Sequence, residues 1–217
     1  MDKYCKYKVN DIGIIYEDDW LLVADKPAGL LTIPSPKKEK RTLISILNDY
    51  LKIKGVNYRL HPCHRLNRET SGLIICAKGK SIQKKMMRLF KEKKVKKKYL
   101  VFIRGRPTSD RGKINYPIQG KNALTIYNVL ERRDNFAIIE AIPLTGRTNQ
   151  LRLHFKYIGH PILGETKYAF RRDFKLKAKR LCLHARELGF IHPITQRYIR
   201  LYSETPEDLK SFLSRNR

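Results

Sequence analysis

The stretch "SGLIICAKG", Ser71–Gly79, sets the first limit on the fold. Its uninterrupted apolar centre, Leu73–Ala77, has strand length and is bracketed by glycines, so the spacing predicts a buried β-strand. "KKYLVFIRG" and "NFAIIEAIPLTG" read the same way, and "GIIYEDDWLLVADKPAG" reads as two strands joined by an acidic turn. Helical spacing appears between these runs. From Thr42 to Gly55, Leu43, Ile46, Leu47, Tyr50 and Leu51 share a face, with Thr42 as cap and Gly55 as stop. "SIQKKMMRLFKEKKV" is amphipathic, with Ile82, Met86, Leu89 and Phe90 on one side and a lysine face, extended as far as Lys98, on the other. "RTNQLRLHFKYIG" places Leu151, Phe155 and Ile158 inward and stops at Gly159. Near the C-terminus, Thr205 reads as a cap and Pro206 as the first helical residue. Strands outnumber helices and do not alternate with them regularly, which points to an α+β fold with a mixed, mainly antiparallel sheet. Strand-rich segments flank the lysine-rich middle, which fits one continuous sheet with a central cleft or two small domains.

Charge narrows the partners. Lys and Arg number 47 against 20 Asp and Glu, a formal charge of +27. That surplus opposes compaction and calls for an anionic partner, with nucleic acid ahead of an acidic membrane surface. A well-solvated basic surface is the plainer explanation, but the runs "PKKEKR" and "KEKKVKKK" are strongly clustered. No apolar stretch reaches membrane-spanning length, and "MDKYCKYKVND" does not read as a signal peptide. The cysteines, Cys5, Cys63, Cys76 and Cys182, form no C-x-x-C pair and read as reduced thiols of a cytoplasmic protein. The histidines lack zincin spacing, so no metal is expected.

Three polar features adjoin strand or helix ends. The first is His64, Arg65, Asn67, Arg68, Glu69, Thr70 and Ser71. The second is Thr145, Gly146, Arg147, Thr148, Asn149, Gln150 and Arg152. The third is Tyr99, just after the lysine run. Each has an ordinary explanation: a hydroxyl-rich turn, a capped helix, a strand aromatic. Together in so basic a chain they suit nucleic acid, because Arg-rich loops clamp phosphates and an adjacent aromatic can stack an extruded base. Lys84, Lys85 and Arg88 would position phosphates and not read bases. G-x-S-x-G, Walker and G-x-G-x-x-G motifs are absent.

These segments carry a resemblance. "HRLNRETSGLIICAKG" is similar to the signature loop of RluA-type pseudouridine synthases, where His-Arg-Leu-Asp precedes Thr-Ser-Gly and an apolar strand. "TGRTNQLRLHFKYIGHPILGETKYA" resembles their Gly-Arg-Thr/Ser-His-Gln-x-Arg helix with the following Gly-His-Pro-Ile-x-Gly and Tyr. "YEDDWLLVADKPAGLLTIP", "KKYLVFIRGRP" and "LCLHARELGFIHPIT" match in order, so the likeness runs from about residue 16 to residue 208. It implies one catalytic domain over the whole chain, without the separate N-terminal RNA-binding domain of many relatives. It also implies isomerisation of uridine to pseudouridine in ribosomal or transfer RNA, with no cofactor. A monomer with no obligate protein partner is the default expectation. Base flipping would be part of the reaction.

Carried over by position, the essential family aspartate falls on Asn67, its arginine partner on Arg152 and the uracil-packing tyrosine on Tyr99. Arg65 falls on the arginine that displaces the base, and Arg68, Arg147 and Asn149 join the RNA-contacting set. An amide has the shape of a carboxylate but neither its charge nor its basicity. This chain is therefore expected to be inactive or severely impaired, with Arg152 released from its ion pair. Glu69 is the nearest carboxylate in sequence. Asn149 stands where the family commonly has His. The amide at position 67 fits an introduced change in an ordinary enzyme, or a natural non-catalytic RNA-binding protein or RNA chaperone. Target choice would rest on "IPSPKKEKRT" and on the segment from Phe170 to Lys179.

Overall fold

Each apolar run singled out above becomes a strand. The computed structural model describes residues 7–35, 39, 41–168 and 178–216. In chain order the elements begin with β1 (Gly13–Glu17), β2 (Leu21–Lys26), α1 (Leu43–Ile53), β3 (Leu60–Pro62), β4 (Ser71–Lys78) and α2 (Lys80–Lys91). They continue with β5 (Lys96–Arg104), β6 (Arg111–Asn115), β7 (Leu124–Arg132), β8 (Phe136–Pro143), α3 (Gln150–Tyr157), β9 (Leu183–Ile191), β10 (Tyr198–Tyr202) and α4 (Glu207–Arg215). The architecture is α+β, as the patterning implies. Two compact units divide the chain: Met1–Val95 with Leu188–Ser203, and Lys96–Glu187 with Glu204–Arg217.

In the first unit β2 pairs antiparallel with both β1 and β4, and β3 pairs antiparallel with β4. Seven of the eight β4 residues are buried, which is why the run is continuously apolar and not alternating. α2 lays Met86 into the core, with Ile82, Leu89 and Phe90 partly buried around it beside Leu21, Val23 and Ile75. Thr42 caps α1 as expected: its hydroxyl accepts from Ser45 N–H at 3.2 Å, and Ser45 Oγ accepts from Thr42 N–H at 2.8 Å. Two expectations fail here. Tyr50 is exposed, because the α1 face is filled by Leu43, Ile46, Leu47 and Leu51. The lysine helix stops at Lys91 instead of reaching Lys98, since Lys96–Lys98 already pair as β5 and Lys93 adopts a positive φ of 58°.

In the second unit β8 lies between β5 and β7, and β6 pairs with β7, all antiparallel. Phe102, Phe136, Phe155 and Phe212 form its core, with α4 contributing Leu209 and Phe212. α4 is capped one residue later than the sequence suggests: Pro206, not Thr205, is the N-cap, and Glu207 and Asp208 occupy the first turn. Asp208 is held by Arg180 through two hydrogen bonds, at 2.5 and 3.0 Å. The thiols of Cys63, Cys76 and Cys182 are free and buried. Burial pushes the Cys63 and Cys182 thiols up to about 12, so neither is a nucleophile near neutral pH. No described helix is long and apolar enough to cross a membrane.

Adjacent methionines test this packing. Met86 is fully buried and Met87 is 50% exposed. Met86→Ala is expected to lower unfolding free energy by about 2–5 kcal/mol, and Met87→Ala by no more than about 0.5 kcal/mol. Urea titration of the two variants against the unaltered chain checks both.

Candidate active site

The loop from β3 to β4 carries Arg65, Asn67, Arg68 and Glu69, and backbone clamps hold it on both sides of residue 67. Before it, Thr32 Oγ accepts from Leu66 N–H at 3.2 Å and donates to Leu66 O at 3.1 Å. After it, Arg68 O accepts from Gly29 N–H at 2.7 Å and from Lys26 Nζ at 3.2 Å. Asn67 O accepts from Thr70 N–H at 3.1 Å, which closes the turn. His64 Nε2 accepts from Ile75 N–H at 3.0 Å, fixing its tautomer with the proton on Nδ1, and its ring lies 4.6 Å from that of Phe90. Gly72, opposite Lys26 in the β2–β4 register, has a φ of 113°, a conformation that favours glycine and explains Thr-Ser-Gly at the loop's exit.

Lys26 is the unusual clamp. Its side chain is fully buried, and the ammonium donates to Leu30 O at 2.7 Å, Pro27 O at 2.9 Å and Arg68 O at 3.2 Å. A buried ammonium needs such acceptors. The sequence Lys-Pro-Ala-Gly therefore does more than close a turn, because it anchors the signature loop. That role was missed in the sequence, although the Lys-Pro pair at a strand end was its signal.

Arg65 is exposed and Asn67 is half-buried. Arg68 pairs with Glu39, whose other carboxylate oxygen accepts from Ser35 Oγ at 2.6 Å. Lys84, Lys85 and Arg88 are exposed on α2, with Arg88 bonded to Glu92 at 2.6 Å. Exposed pairs of that kind add little stability and yield readily to a phosphate. Part of "IPSPKKEKRT" and nearly all of the segment from Phe170 to Lys179 lie outside the described residues.

The second unit carries Tyr99, Arg147, Asn149 and Arg152. Tyr99 stands on β5 opposite Ala141 and packs partly buried against the core. Burial pushes its phenol up to about 12, so at neutral pH it is an uncharged ring and no base. α3 begins at Asn149, which adopts the left-handed conformation at φ 57° and ψ 23°. Asn tolerates that region better than most residues. Its Nδ2 donates to Tyr168 Oη at 2.9 Å.

Arg152 is not released. Its Nε and Nη2 each donate to Glu165 at 2.6 Å, and the two side chains are 6% and 1% exposed. Glu165 Oε1 also accepts from Lys167 N–H at 2.8 Å and Tyr168 N–H at 3.1 Å. Burial by itself would raise this carboxyl, but the Arg152 hydrogen bonds and charge, with the two amides, hold it below the usual range. The Arg152 guanidinium lies 5.2 Å from the centre of the Tyr168 ring. Glu165 and Tyr168 were missed as site residues, although both lie within the quoted "GETKYA". Gly164 is fixed by space: its φ is 74°, and a Cβ there would stand 1.9 Å from Arg180 O.

A buried polar chain sets the Arg147 loop. Gln150 Oε1 accepts from Thr145 Oγ at 2.7 Å and Arg147 N–H at 3.0 Å, while its Nε2 donates to Leu124 O and Thr125 Oγ, both at 3.0 Å. His154, fully buried, continues the chain, with Nδ1 2.9 Å from Thr125 Oγ and Nε2 3.0 Å from Tyr116 O. Because a carbonyl only accepts, Nε2 carries the proton and Nδ1 accepts from the threonine hydroxyl. The imidazole is therefore neutral, and burial holds its pKa below the ordinary 6.5.

Two outcomes follow from these contacts. Glu165→Ala, which strands a buried guanidinium, is expected to cost about 3–5 kcal/mol in urea titration, and Glu165→Gln distinctly less. For His154, the unfolded chain takes up a proton near pH 6.5 while the folded chain resists it. Its stabilising share is thus complete above that pH and is lost as pH falls. His154→Asn should flatten the decline in unfolding free energy between about pH 7 and 5. Some slope should persist, because burial also depresses His61 and His192.

Comparison with known proteins places these features. The pattern of the RNA pseudouridylate synthase family matches residues 20–157. The dual-specificity RNA pseudouridine synthase RluA of Pasteurella multocida is 37% identical over 204 residues, which span 87% of this chain and 90% of that protein. An uncharacterized RNA pseudouridine synthase of Bacillus subtilis, YlyB, is 34% identical over 220 residues, spanning 94% and 72%. The structure of human RNA pseudouridylate synthase domain containing 4 superposes with a TM-score of 0.79 at 26% identity, covering 94% of this chain and 92% of that one. With the family pattern extending from Trp20 past the β3–β4 loop and through α3, the chain belongs to the RNA pseudouridylate synthases, of the RluA type.

Proposed function

We propose that this chain is an RluA-type scaffold that binds ribosomal or transfer RNA, holds a target uridine, and is silenced at the chemical step by Asn67. The observation that carries this reading is the pair of clamps around position 67. Thr32 on one side and Lys26 with Gly29 on the other hold the loop by the backbone of Leu66 and Arg68. The loop conformation is thus supported independently of whether residue 67 ends in an amide or a carboxylate. What the amide removes is charge and basicity, and with them the group that acts on the sugar or base during detachment, rotation and rejoining through carbon.

The remaining residues keep their assigned parts. Tyr99, an uncharged ring, packs on the uracil. Arg65, exposed on the loop, occupies the space left by the flipped base. Arg147 and Asn149 at the start of α3, with Arg68, Lys84, Lys85 and Arg88, hold phosphates. Arg152 keeps the part that the family resemblance gives it, with its guanidinium aligned by Glu165. The protein works in the cytoplasm as a monomer.

A binding-only role is the second reading. The carboxylates near the two clusters support it, because Glu165 and Glu39 are engaged with arginines. Rejoining the base through carbon 5 expels the hydrogen there, so tritium release from 5-tritiated uridine in unmodified RNA separates the readings. The unaltered chain is expected to release none above background, and Asn67→Asp is expected to release it with turnover. Release by the unaltered chain would show that Asn67 is not at the essential position. Silence from both, with RNA bound, would leave the binding-only role.

A further inference from the structure

Beyond the residues assigned to the target uridine, the second unit exposes an aromatic pair. We propose that Tyr116 and Tyr157 form a stacking platform for an unpaired RNA base that flanks the target. This inference rests on the reading of the chain as RNA-binding. The two rings are stacked, with centroids 3.7 Å apart and planes at 23°. Yet Tyr116 is 40% and Tyr157 59% exposed. Single exposed aromatics are common on protein surfaces. Two that cover one another in solvent each leave an outer π-face, with little rotamer freedom left to lose on binding.

The platform is built in before RNA arrives. Tyr116 follows β6, and its carbonyl accepts the Nε2 proton of the buried His154 at 3.0 Å. Tyr157 is the last residue of α3, three positions after that histidine. The same buried chain that sets the Arg147 loop therefore also fixes the backbone beneath Tyr116. Arg147 Nε in turn donates to Asn122 O at 3.0 Å, joining the arginine's loop to the β6–β7 turn. Exposed Lys113 and Lys121 stand on β6 and in that turn, and Lys156 precedes Tyr157. Neither segment 111–130 nor segment 144–164 contains an Asp or Glu. An aromatic face carried on two segments that hold lysines and no acidic residue suits a base with its phosphates, and it suits neither an apolar peptide nor a bare lipid headgroup as well.

The site is separate from that of Tyr99. β5 and β6 are the outer members of the run β5–β8–β7–β6, and three strand spacings separate them by roughly 14 Å. A base on Tyr116 and Tyr157 thus belongs to a nucleotide other than the one packed on Tyr99. Stacking tolerates any base, so the platform requires an unpaired nucleotide and not a particular sequence.

The test uses the full chain and two RNA probes: a hairpin whose unpaired loop contains uridine, and a fully paired duplex of the same length. Dissociation constants are measured over a salt series for the unaltered chain, Tyr116→Ala, Tyr157→Ala, Tyr157→Phe and Lys121→Ala. Each tyrosine-to-alanine change is expected to weaken hairpin binding about ten-fold, to leave duplex binding unchanged and to preserve the salt slope. Tyr157→Phe should bind as the unaltered chain does, since the ring and not the hydroxyl is used. Lys121→Ala should instead lower the salt slope by about one. Unchanged hairpin affinity in both alanine variants, with circular dichroism intact, overturns the platform and leaves the proposed function standing. Equal weakening on hairpin and duplex also overturns it, as loss of general surface charge or structure. Failure of the unaltered chain to bind either RNA overturns the proposed function and this inference together.

Discussion

Water solvates a cation far better than a protein interior does, and this chain, at +27, nonetheless buries Lys26 in its first unit and Arg152 in its second. Each requirement fixes a loop. Lys26 at the end of β2 is satisfied by three backbone carbonyls, so the chain must fold back until Pro27, Leu30 and Arg68 surround one ammonium. Arg152 near the start of α3 is satisfied by the Glu165 carboxylate, which brings the segment after Gly164 against the helix. A guanidinium suits the second solution because its fork matches both carboxylate oxygens at once. An ammonium suits the first, since its three protons can be given to three separate carbonyls.

These two solutions separate shape from chemistry. The loop bearing Asn67 is held by main-chain groups on either side, and the α3 loop bearing Arg147 is held by the Gln150 amide. Main-chain clamps are indifferent to the side chain they present. A loop arranged this way keeps its backbone conformation when the side chain at position 67 is exchanged for another of the same shape.

The buried polar chain through Gln150, Thr125 and His154 shows the same economy of parts. Every partner in it has a defined donor or acceptor role, so the network specifies one geometry for the Arg147 loop and the β6–β7 turn together. Polar residues on a helix usually face water. Here Gln150 and His154 face inward because two neighbouring loops need their hydrogen bonds completed.

Much of this was legible from the sequence alone. Continuous apolar runs gave the positions of β4, β5 and β8, because strands buried on both faces tolerate no alternation. Thr42, Gly55 and Gly159 marked helix ends through local backbone chemistry that needs no distant partner. The ordered motifs identified the family. Long-range contacts were not legible. The sequence could not show that Tyr50 faces solvent, that Lys26 bonds to a carbonyl forty-two residues away, or that Glu165 holds Arg152. Sequence determines local conformation and the inventory of groups, since both follow from neighbouring residues. Which buried donor meets which acceptor was decided only by the tertiary structure, because desolvation penalises every unmatched pairing and acts across the whole fold at once.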